Sequence, residues 1–132
     1  MQANPVVLIA CEPSEAEVLR AIVPTEASVV TTSSTRDAMQ RITEGVDAVI
    51  CTMDFDDSRM LELVHEAHAR RPELPVLCCR VFGSRVSDIY LRAAATAAFS
   101  MGVAAFIDLA NRLPLFSADA AELAATLVRL LG

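Results

Sequence analysis

The 132 residues suffice for one domain, and a chain of this length buries roughly two thirds of its unfolded surface without disulfide or metal staples. A net charge of -6, with 11 cations that are all arginine and scattered, excludes the clustered positive surface that nucleic-acid phosphates require. The lack of lysine excludes chemistry that needs a lysine amine. No window approaches the ~18 apolar residues of a membrane span, and no cation precedes the first apolar run, so no secretory leader is read and a cytoplasmic location is expected.

Val6 to Cys11 is a continuous apolar run with strand character, stopped by Glu12-Pro13-Ser14. Ser14 and Glu17 have the spacing of a capping box, which predicts a helix from about Glu15 to Val23, ended by Pro24. Ala27 to Thr32, rich in Val and Thr, suits an edge strand. Ser34 can cap a helix running to Glu44, and Gly45 is placed to end it. Val46 to Cys51 is apolar but for Asp47, too short for a helix and right for a central strand buried on both faces.

That central run leads into Thr52-Met53-Asp54-Phe55-Asp56-Asp57-Ser58, a carboxylate-rich loop in which Asp57 or Ser58 can cap the next helix, about Ser58 to Arg71. Pro75 to Cys79 reads as a fourth strand, Arg80 to Arg85 as a loop, and Val86 to Met101 as a helix ended by Gly102. Val103 to Ile107 is a fifth strand, Asp108 to Phe116 a polar segment, and Ser117 to Leu131 a last helix. Strand and helix alternate five times with no repeat or linker, so residues 1–132 read as one doubly wound α/β domain with a parallel sheet and helices on both faces. In such sheets ligands bind outside the carboxyl ends of the strands, which puts the chemistry, if any, at the loop after Cys51.

Cys11, Cys51, Cys78 and Cys79 lie in or at the ends of apolar runs without C-x-x-C spacing, and read as buried free thiols. Cys79 and Arg85 have the C-x₅-R spacing of cysteine-dependent phosphatases, but Val86 stands where a Ser or Thr normally follows the arginine. His65 and His68 have i, i+3 spacing with no third ligand in view and read as exposed helix residues, so no metal site is expected.

Five βα units in about 130 residues, Glu12-Pro13 after the first strand, carboxylates after the third, and Gly102 before a short fifth strand containing Phe106 together resemble a response-regulator receiver domain over nearly the whole chain. The resemblance implies a flavodoxin-like sheet of order 2-1-3-4-5 and phosphoryl transfer onto an aspartate ending the third strand. That acceptor position falls on Thr52, which has no carboxylate. The acidic pair that holds the family's Mg²⁺ falls on Ala10 and Cys11, or keeps only Glu12 if shifted by one, and neither choice supplies the oxygen ligands this ion prefers. The hydroxyl residue ending strand four falls on Arg80, the strand-five lysine on Leu109, and the switch aromatic on Phe106.

The resemblance therefore implies a pseudo-receiver whose phosphoacceptor pocket, at Glu12, Thr52, Asp54, Arg80 and Leu109, is degenerate. Arg80, set at that pocket, needs an anion, and Glu12, Asp54 or Asp56 are the expected partners. The helix from Val86 to Met101 is apolar nearly all round, more than a stripe facing the sheet requires, so Ile89, Tyr90, Ala93 and Ala97, with Phe106, are candidates for a partner interface. The expected function is a non-enzymatic protein-interaction module in bacterial signalling or localisation, with a protein partner or a second copy of the chain, and with no cofactor, small-molecule substrate, nucleic acid or membrane. The alternatives are a phosphorylation-competent domain that uses Asp54 and, third, a phosphatase-like enzyme acting through Cys79 and Arg85.

Overall fold

The computed structural model describes residues 4–82, 87–110 and 120–132. Five strands, β1 (Val6–Ala10), β2 (Ser28–Thr32), β3 (Ala48–Thr52), β4 (Val76–Arg80) and β5 (Ala105–Asp108), form one parallel sheet of order β2-β1-β3-β4-β5. The crossovers carry α1 (Ala16–Ile22), α2 (Thr35–Glu44), α3 (Met60–Arg70) and α4 (Asp88–Ser100), and α5 (Ala120–Leu131) follows β5. The doubly wound class is the one expected from the alternation of apolar runs, and the flavodoxin-like order is the one the receiver resemblance implied.

Strand parity divides the core in two. Leu8, Ala10, Val49, Cys51, Val76, Cys78 and Phe106 pack with α2, α3 and α4 on one face. Val7, Ile9, Ile50, Leu77, Cys79 and Ile107 pack with Leu19 of α1 and Leu123 and Leu127 of α5 on the other. All five residues of β3 are buried, as a strand covered on both faces requires. The central run thus ends with alternate side chains committed to opposite layers.

Several boundaries differ from expectation for local reasons. The Ser14–Glu17 capping box does not form; a 3₁₀ turn, Pro13–Glu15, comes first with Glu12 as its cap, and Glu15 donates its amide to the Glu12 carbonyl at 2.9 Å. Ser34 caps α2 as expected, accepting from the Asp37 amide at 3.1 Å, and Gly45 ends that helix at φ 118°, a conformation glycine adopts at little cost. Neither Asp57 nor Ser58 caps α3; Arg59 occupies that position with no side-chain cap bond. Ser87 caps α4 through the Tyr90 amide at 3.2 Å, so this helix starts after the expected Val86.

His68 is not the exposed residue its spacing suggested. Its ring nitrogens lie 2.9 Å from the Met101 carbonyl and 3.0 Å from that of Leu74, tying α3 to the end of α4. His65 is exposed.

Candidate functional site

β3 delivers Thr52 to the carboxyl edge of the sheet on the α1 side, the same parity as Ile50. The Thr52 side chain is fully buried, and its hydroxyl donates to Oε1 of Glu15 at 2.7 Å. The same oxygen accepts from the Glu12 amide at 2.9 Å. The geometry follows from the local sequence, because Pro13 fixes φ at the first position of a single tight turn and the residue three after Glu12 is brought back over its amide. Glu15, 2 % exposed, is the residue of this candidate site that sequence reasoning missed.

Burial pushes the Glu15 carboxyl above its ordinary value, while the hydrogen bonds from Thr52 and from the Glu12 amide pull it back, and the nearby charges of Asp54 and Glu12 add to the rise. Glu12 and Asp54 are half-buried. The Mg²⁺ that a receiver would use does not fit this donor set. The carboxylate bonded to Thr52, that of Glu15, is already hydrogen-bonded twice, Ala10 is buried in the core, and Cys11 offers a buried thiol held up to about 11 chiefly by burial. Among the described residues no group of three or more His, Cys, Asp and Glu side chains is arranged to hold a metal ion.

Arg80 does find a carboxylate, but not one of those expected. Its parity places it with Cys78 on the opposite face from Thr52, beside Asp108, its register partner at the end of β5. Nε donates to Oδ1 of Asp108 at 2.9 Å and Nη2 to Oδ2 at 2.6 Å, a bidentate pair with side chains 4 % and 0 % exposed. The Ala110 amide also donates to Oδ1, at 3.0 Å. Asp108 is therefore a buried strand terminus and not the start of a polar segment. Leu109 packs against the α1–α5 layer, and Phe106 is buried at 6 % exposure, which removes it from any docking surface.

The carboxylates after Asp54 form a different feature. Asp56, Asp57 and Ser58 all take positive φ, at 45°, 58° and 63°. Asp56 Oδ2 accepts from both the amide and the hydroxyl of Thr35 at 2.7 Å, and these bonds lower its carboxyl from the ordinary value. Ser34 and Asp37, beside Thr35, line a cleft of about 470 Å³ with Cys11, Pro13, Thr31 and Thr32. The cysteines are all free and buried. Burial raises the Cys78 thiol to about 12 and pushes Cys51 and Cys79 well above their ordinary value, the reverse of an activated nucleophile. Arg85, the other half of the phosphatase-like spacing, lies outside the described residues.

Helix α4 presents the largest apolar exposure among the described residues. Ile89 is 81 % exposed, Tyr90 53 % and Phe99 51 %, with Phe82 just before the helix at 48 %. Ala93 is exposed and Ala97 half-buried, while Leu91, Ala94, Ala95 and Ala98 face the sheet. The excess of apolar positions over a single stripe is thus real and faces outward.

No protein-family model matches the sequence, and no curated protein matches it. Solved structures do. The chain is similar to a response regulator receiver protein from Pseudoalteromonas atlantica (TM-score 0.71, 18 % identity, 96 % of this chain and 95 % of that one). It is likewise similar to a CheY-like receiver domain protein from Methanospirillum hungatei JF-1 (TM-score 0.72, 14 % identity, 98 % and 94 %). It also matches NtrX from Brucella abortus (TM-score 0.70, 21 % identity), with 98 % of this chain aligned to 26 % of that one, so the chain spans about a quarter of NtrX. The fold is that of response-regulator receiver domains.

Proposed function

We propose that the chain is a receiver-fold interaction module of bacterial signal transduction or localisation that is not switched by aspartyl phosphorylation. The observation that carries this reading is the buried Thr52–Glu15 hydrogen bond: the position from which a receiver's acceptor would attack phosphorus holds an alcohol, fully buried and already engaged. Arg80 is likewise consumed by Asp108. What remains free is surface. The exposed Ile89, Tyr90 and Ala93 of α4 offer an apolar face to a protein partner or to a second copy of the chain in the cytoplasm. Neither role needs a cofactor, a small-molecule substrate or nucleic acid.

The test is incubation with a small phosphodonor and Mg²⁺ followed by intact-mass measurement. The expected result is an unchanged mass. A Mg²⁺-dependent phosphoryl adduct that disappears in Asp54→Ala would replace this reading with that of a phosphorylated receiver using Asp54.

A further inference from the structure

L-residues enter the left-handed region singly, and rarely in succession, because Cβ then crowds the following carbonyl oxygen. Asp56, Asp57 and Ser58 occupy it one after another, with no glycine among them. The run is trapped between two anchors: Phe55, with no exposure, and Met60, at 3 %, belong to the same apolar layer, and the Arg59 amide closes onto the Phe55 carbonyl at 2.8 Å. Beyond those anchors the turn is tied down by Asp56, whose Oδ2 takes both Thr35 donors and lies 3.8 Å from the Arg59 guanidinium. Strained backbone persists only where its surroundings over-determine it.

We propose that residues 56–58 are a sprung latch, held closed by the grip of Asp56 on the first residue of α2, and that its release loosens the wall of the cleft beside β2. The second half follows from chain continuity. Thr35 adjoins Ser34, whose hydroxyl accepts from the Asp37 amide, and Ser34 and Asp37 both line the cleft. Whatever displaces the Asp56 carboxylate from Thr35 lets the turn unwind and frees the cap of α2 in one step.

Hydrogen exchange on the full chain tests this without a ligand. Thr35→Ala leaves the turn's own residues untouched and is expected to speed exchange at the Arg59 and Asp37 amides about tenfold, the scale of one lost charge-assisted hydrogen bond, with Ile9 and Ile50 unchanged. Asp57→Gly combined with Ser58→Gly is expected to slow Arg59 exchange several-fold, because glycine accepts positive φ without the Cβ clash. An Arg59 amide at its wild-type rate in Thr35→Ala, or faster exchange in the glycine pair, would overturn the proposal. If Thr35→Ala raises all amides together, the glycine pair alone decides: slower exchange at Arg59 supports the latch, and equal or faster exchange overturns it.

Discussion

The two buried polar pairs at the carboxyl edge of the sheet solve the same problem in different ways. On the α1 side, a neutral hydroxyl from β3 meets a carboxylate delivered by a turn, and a backbone amide completes the contact. On the α4 side, a guanidinium and a carboxylate at matched register positions on neighbouring strands form a two-point ion pair. The first joins a strand to a loop and holds one buried charge whose carboxyl is raised. The second joins strand to strand and holds two charges that answer each other. Both lie at the carboxyl edge of the sheet, one on each of its faces.

Removing one member of the ion pair should show the larger effect. Asp108→Ala leaves a guanidinium buried without its partner and is expected to cost about 3–5 kcal/mol in urea unfolding, whereas the double change to apolar residues of similar volume should recover much of that loss. Thr52→Val removes a neutral donor from a buried acceptor and should cost about 1–3 kcal/mol by the same measurement. Equal losses for the two single variants would show the two pairs to be energetically alike.

The Thr52–Glu15 pair also responds to pH. Glu15 has its carboxyl raised in the folded state, so the native chain binds more protons than the unfolded one just above the ordinary glutamate value of 4.5. Its contribution is fully present below that value and is lost as pH rises through the folded value. Stability measured upward from pH 4.5 should therefore carry a declining component that Glu15→Gln removes, since the amide oxygen can still accept from Thr52. An unchanged slope in Glu15→Gln would assign that component elsewhere. The smallest effect belongs outside both pairs: Ile89→Arg, on an 81 % exposed position, should shift stability by no more than about 0.5 kcal/mol while weakening any self-association seen by size exclusion.

The strands and their parallel, doubly wound class were legible in the alternation of apolar runs, whereas their order came only from the resemblance to receiver domains and the layer each side chain joins came from the structure. That Arg80 needs a carboxylate was legible too, but its partner was not. Once Asp108 is placed in a loop, its register with Arg80 cannot be seen, although counting parity from Phe106 would have put it on the Arg80 face. Glu15 was hidden by a competing local signal: Ser14 and Glu17 have cap spacing, yet the Glu12-Pro13 pair starts the turn earlier. The i, i+3 relation of Glu12 and Glu15 around a proline was the available clue. The left-handed run in Asp-Asp-Ser and the carbonyl contacts of His68 depend on tertiary anchors and leave no mark in spacing.

The central claim, that the acceptor position is sealed by a hydroxyl held against a buried carboxylate, is tested most directly by carbon-detected NMR titration of the Glu15 carboxyl in the wild type and in Thr52→Val. The account predicts a midpoint above the ordinary glutamate value in the wild type and a further rise in the variant, because the Thr52 hydrogen bond pulls that value down. A wild-type midpoint at the ordinary value that Thr52→Val leaves in place would contradict it.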